Sequence, residues 1–220
     1  MIYVANPSTE RVRAAMSAGL LGCMTTPAQG NAVPPGAWWA ADNGVYGKGW
    51  PGDEAWLAWL GSRTADPGRC LFVTAPDVVG DAWRTLARSW PFLPVIRDLG
   101  YPAAYVAQDG ADETGIPWDD LDALFIGGTD EYKLGEHAAE LIGLGRSHGK
   151  WVHVGRVNSR IRWDRFEALG ADSCDGTFLA YGPDKNLDEC LSWRSPRVAG
   201  HNWRKHREGR SCGACPVGSS

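Results

Sequence analysis

Apolar residues along this chain fall into eight short runs, at residues 1–5, 20–24, 38–41, 70–74, 103–107, 123–126 and 151–154 and in a last run that reaches Cys174 and Asp175. Runs this short and apolar, bounded by Gly, Pro, Asn and Asp, read as buried strands. The stretches between them carry helical spacing or turn chemistry. Ser8 or Thr9 caps a helix through Glu10, Val12 and Met16 that stops at Gly19. Further helices are predicted over 53–60 and 81–89, in a short piece after Pro91 and Pro94, and over 163–169. Residues 131–148, with Leu134, Ala138, Leu141, Ile142 and Leu144 on one face, read as a single long helix.

Eight strands alternating with helices or loops predict a single (β/α)8 barrel, with a doubly wound open sheet as the alternative. The position of the polar residues favours the barrel, because the unusual ones come directly after the runs. Asp42, Asp77, Gln108, Gly127-Gly128, Arg156 with Asn158, and Asp175 would then share one mouth, at the strand ends where barrel enzymes build their sites. Each taken alone is also an ordinary turn residue. Asp175 stands out because it lies inside a strand, where a carboxylate must be partnered or put to use. Asp172 reads as structural, and Cys174 points to the opposite side of the strand from Asp175.

Composition narrows the picture. The 220 residues are 44% hydrophobic and 22% charged, ordinary for one globular domain with a sizeable core. The formal net charge of −4 gives no general attraction to nucleic acid, so any such partner needs a local patch. Most of the twelve tryptophans are expected to pack between helices and strands. There is no charged leader and no run of 18 apolar residues, which predicts a soluble cytoplasmic protein with no membrane partner.

In their order, these strand-end segments resemble the guanine transglycosylase family: the queuine tRNA-ribosyltransferases and their relatives that insert 7-deazaguanines into DNA. Asp42-Asn43-Gly44 is similar to the family's Asp-Ser-Gly-Gly-Phe, and Asp77 falls where the family has a base-binding aspartate. Ala107-Gln108-Asp109-Gly110 resembles Val-Gln-Gly-Gly, and Ile126-Gly127-Gly128 resembles Ser-Gly-Gly-Leu. Val152-His153-Val154-Gly155 is similar to the family's seventh strand. The run from Gly170 to Asp175 resembles Gly-Ile-Asp-Met-Phe-Asp, which ends in the nucleophile. The likeness covers roughly residues 1–180.

The resemblance implies a pentosyltransferase in which Asp175 attacks C1′ and Asp42 handles protons, the logic of a retaining glycosidase. It implies a base pocket of Asp77, Gln108, Gly127, Gly128, Gly155 and Arg156. A carboxylate suits guanine's N1–H and amine, while Gln108 and the Gly128 N–H suit O6. The target base must leave its stack to reach such a pocket. No organic cofactor is implied. The family's zinc motif is absent as such; Cys190, His206, Cys212 and Cys215 are the candidate ligands of a structural zinc, with His206 preferred over His201 and an incidental set of thiols as the alternative. The barrel is placed at 1–182 and a basic extension at 183–220, whose Arg194, Arg197, Arg204, Lys205, Arg207 and Arg210 are candidates for phosphate contacts. The short chain without an added RNA-binding domain points to a DNA-acting member of phage type, working in the host cytoplasm. A tRNA-acting enzyme, a purine-binding barrel without catalysis, and another lyase or hydrolase stay open as alternatives.

Overall fold

In the computed structural model, which describes residues 1–47 and 49–194, the apolar runs form eight strands. These are β1 (Ile2–Ala5), β2 (Gly22–Thr25), β3 (Trp38–Ala41), β4 (Cys70–Thr74), β5 (Ala103–Ala107), β6 (Ala123–Ile126), β7 (Trp151–Val154) and β8 (Ser173–Asp175). Every strand lies parallel to the next, and β8 pairs back onto β1 through Ile2 with Ser173 and Val4 with Asp175, closing a barrel. The predicted (β/α)8 architecture is therefore the observed one.

Helices α1 (Glu10–Ser17), α2 (Asp53–Gly61), α3 (Ala82–Ser89), α4 (Phe92–Asp98), α5 (Ala111–Thr114), α6 (Asp130–Leu134), α7 (Glu136–Ser147), α8 (Arg160–Leu169) and α9 (Pro183–Ser192) occupy the connections. Several start on a side-chain cap in the loop leaving a strand. Thr9 accepts from Val12 N, Asp81 from Arg84 N, Thr129 from Tyr132 N and Ser159 from Arg162 N. These caps fix where each loop at the strands' C-terminal ends turns back down the barrel. Residues 131–148 do not form one helix, because the chain breaks at Gly135 between α6 and α7.

Strand alternation splits the core in two. Ile2, Val4, Met24, Trp38, Ala40, Phe72, Ala104, Ala123 and Trp151 fill the barrel interior, with Phe125 packed against them. The other face of each strand, Cys174 included, meets the helices in a larger buried cluster. Of the tryptophans, Trp39, Trp56, Trp163 and Trp193 are among the largest fully buried side chains, while Trp83 and Trp90 are exposed. The boundary drawn at residue 182 falls just ahead of α9. That helix packs on α1, with Thr9 bonded to Asp184 and Arg11 to Asp188, and it buries Leu187, Cys190 and Trp193 in the outer core. No described helix is long and apolar enough to cross a membrane.

Candidate active site

At the C-terminal ends of the strands lies a cavity of about 140 Å³. A cavity needs roughly 10–15 Å³ to hold one water, so this one has room for a small polar ligand. Its walls include Asp42, Asp77, Gln108, Gly127, Gly128, Gly155, Arg156 and Asp175, so all eight residues proposed for chemistry or base binding meet around one space. The inward alternation of the strands brings them there. Gln108, Gly127 and Gly155 continue the inward rows of β5, β6 and β7, and Asp175 ends β8 two residues beyond inward Ser173.

Asp42 and Asp175 sit in different surroundings. Burial pushes the Asp42 carboxyl up to about 7, the negative charges of Asp175 and Asp77 add to the shift, and the N–H groups of Gly44 and Asn43 oppose it. Asp42 can therefore hold or release a proton near neutral pH. Asp175 is fixed by the main chain: its Oδ1 accepts from Arg156 N at 2.7 Å, and its Oδ2 lies 3.7 Å from His153 Nε2. A carboxyl that can exchange a proton near neutral pH and a carboxyl anchored by a backbone donor thus face the same cavity.

Asp77 is buried and raised above the usual carboxylate range by desolvation, while hydrogen bonds from Asn43 and Gln108 partly restore its acidity. Asn43 Nδ2 donates to Asp77 Oδ1 at 2.9 Å and to Ala75 O at 2.8 Å, and Gln108 Nε2 donates to Asp77 Oδ2. Gln108 Oε1 in turn accepts from Gly80 N. Gln108 thus uses its carbonyl and one amide hydrogen within the protein, leaving its second N–H for a ligand. Asp109 accepts from the N–H and hydroxyl of Thr129 and so ties down the loop that carries Gly127 and Gly128. A Cβ on Gly127 would stand 2.6 Å from Val106 Cγ1, and one on Gly155 would stand 2.8 Å from Phe125 Cε1. The cavity floor therefore admits no side chain at either position.

Arg156 is the only residue other than glycine with positive φ among those described, at 61°. Its guanidinium spans the mouth, donating to Tyr46 Oη at 2.8 Å and to Gly128 O at 2.7 Å, and it stacks 4.7 Å over the Tyr46 ring. Lys133, buried in the same wall, reaches Asp130 at 3.2 Å and Gly128 O at 3.4 Å; desolvation lowers its pKa. Asn158 joins the loops after β7 and β8 by accepting from Thr177 N. Asp172 is structural, accepting from Val152 N.

Sequence reasoning missed Asn43 as a ligand of Asp77, and it missed Tyr46, Lys133 and the buried His153. Asn43 and His153 lie within the quoted motifs. Tyr46 and Lys133 reach the cavity only through the path of a loop and the break at Gly135. Of the proposed zinc ligands, Cys190 is buried in the outer core. His206, Cys212 and Cys215, and the basic cluster beyond Arg194, lie outside the described residues. Among the described residues no group of three His, Cys, Asp or Glu is arranged to hold a metal ion.

No family model matches the chain, and no curated protein sequence matches it. Among solved structures, the chain is similar to PaMucR phosphodiesterase in its complex with c-di-GMP, at 15% identity and a TM-score of 0.40. The match covers 64% of this chain and 60% of that one, so the chain spans less than two thirds of that structure. A likeness at this level carries no argument about function.

Proposed function

We propose that the protein is a base-exchange transglycosylase that replaces guanine in a polynucleotide, DNA in preference to tRNA, with a 7-deazaguanine. The observation that carries this reading is the pairing, around one cavity, of Asp42, raised to about 7, with Asp175, held by the Arg156 N–H. Asp175 attacks C1′ of the target nucleotide and forms a covalent ester as the glycosidic bond breaks. The bonding pair leaves with guanine, which takes a proton from Asp42. The incoming base then gives a proton to Asp42 and attacks C1′, releasing Asp175, so two displacements return the original configuration.

The walls suit guanine. Asp77 accepts from N1–H and the exocyclic amine, while the spare Gln108 N–H and the Gly128 N–H donate to O6. Tyr46 is exposed in the segment that follows β3 and lines the cavity, where an aromatic ring can stack a neighbour of a flipped base. The choice of a 7-deazaguanine as the incoming base comes from the motif resemblance.

The test is exchange. Purified protein is incubated with a guanine-containing DNA oligonucleotide or tRNA and an isotopically labelled 7-deazaguanine, and the nucleosides are analysed by mass spectrometry. Label in the DNA nucleosides, lost with Asp175→Asn, is expected. Label in neither polymer overturns the reading, and retention of an unchanged guanine ligand in the cavity would make this a binding barrel. A structural zinc on Cys190, His206, Cys212 and Cys215 belongs to the same proposal. Less than about a tenth of an equivalent of zinc in pure protein, far short of the one ion a structural site holds, removes it.

A further inference from the structure

Below Asp175 the barrel interior contains a polar chain that the base-exchange chemistry does not use. Trp151 and His153 project inward from β7, and Ser173 and Asp175 project inward from β8. His153 and Ser173 are register partners across the two strands. Trp151 Nε1 donates to Ser173 Oγ at 2.8 Å, and Ser173 Oγ lies 2.8 Å from His153 Nδ1. His153 Nε2 is buried without a hydrogen-bond partner and faces Asp175 Oδ2 at 3.7 Å. The imidazole is fully buried between Phe72 and Phe125, with ring centroids at 4.8 and 4.4 Å, so it touches no substrate.

The proton positions follow from this connectivity. An indole nitrogen only donates, so Ser173 Oγ accepts from Trp151. If His153 also donated to Ser173 from Nδ1, the serine proton would be left without an acceptor in the core, and the Nε2 lone pair would face a carboxylate. Both are costly in a buried site. When Ser173 instead donates to Nδ1, the proton sits on Nε2 and every donor in the series faces an acceptor. The same use of one ring nitrogen to set the state of the other is familiar from catalytic histidines.

We propose that His153 is a positioning residue for Asp175: Trp151 and Ser173 hold it as the Nε2–H tautomer, and that N–H orients the second carboxylate oxygen. The Arg156 N–H holds Oδ1 from the mouth and His153 holds Oδ2 from the core, so the carboxylate is fixed from both sides. A closure of under one ångström from 3.7 Å brings the His153 contact to hydrogen-bond length. This inference rests on the assignment of Asp175 as nucleophile in the proposed reaction.

The test has two readouts, one of them independent of turnover. Nitrogen-15 spectra of the imidazole in the full protein are expected to show neutral His153 protonated on Nε2, with the Nε2–H resonance moving in Asp175→Asn. Protonation on Nδ1, or a resonance indifferent to Asp175→Asn, overturns the proposal whether or not base exchange is ever observed. In the second readout, His153→Leu lowers the rate of covalent adduct formation with a guanine-containing oligonucleotide by about 100-fold, the scale of a small misplacement of a reacting group, with oligonucleotide affinity unchanged. His153→Gln, which can still accept from Ser173 and donate towards Asp175, recovers part of that rate. Equal rates in the wild type and the Leu variant contradict the role. Should His153→Leu not fold, the wild-type spectra still decide it.

Discussion

A desolvated carboxyl whose pKa is raised works against folding in its charged form, and the half-buried Asp42 is such a group. Between the ordinary aspartate value of 3.8 and about 7, the folded state keeps a proton that the unfolded chain has lost. Stability contributed by this group is thus present at low pH and falls as pH rises through that window, levelling off above 7. Asp42→Asn removes the ionisation, so the variant should melt above the wild type at pH 8, with the gap shrinking towards pH 4.5. A gap independent of pH would mean that Asp42 is not the shifted group. Arg156 allows a second test at this scale. Its backbone is in the left-handed region, which costs a side chain with a Cβ on the order of 1 kcal/mol relative to glycine. Arg156→Gly and Arg156→Ala lose the same contacts to Tyr46 and Gly128, so the Gly variant should be the more stable in thermal melts. An Ala variant at least as stable would show that φ is not under strain.

At the scale of elements, the eight strands were legible because each apolar run ends abruptly in a turn residue on its C-terminal side. The exceptions have specific physical causes. Periodicity in 131–148 continues across Gly135, yet the chain turns there to place Lys133 in the cavity wall, a bend that no hydrophobic pattern encodes. Helix α9 lies within the extension placed at 183–220; most of its residues are polar, and Leu187 and Cys190 within it are buried. Trp193, just past its end, is 2% exposed and lies 4.6 Å from Phe178, with Tyr3 and Trp163 at 6.1 Å. If α9 completes the barrel wall, Trp193→Ala should cost about 3–5 kcal/mol, read as a lower urea midpoint. A loss under about 1 kcal/mol, the range of surface substitutions, would show that the segment is an appendage.

For the molecule as a whole, closure of the sheet turns a series of weak local signals into one site. Asp42 and Asp175 are far apart in the chain, and β1 and β2 lie between their strands around the barrel. Only the closed ring sets the two carboxyls around a common cavity. The membership of that site was largely readable from strand ends, because parallel strands in a barrel put all their C-terminal ends on one face. What holds the site was not readable: the Asn43–Asp77–Gln108 bonds, the Arg156–Tyr46 bridge and the series running from Trp151 to Asp175 depend on which strands become neighbours. The most direct measurement is intact-mass analysis of the protein after incubation with a guanine-containing DNA oligonucleotide, followed by peptide mapping of the adduct. The account predicts a protein–oligonucleotide ester on Asp175 with release of free guanine, absent in Asp175→Asn and discharged by a 7-deazaguanine. Guanine exchange without an adduct, or an adduct on a residue other than Asp175, would contradict it.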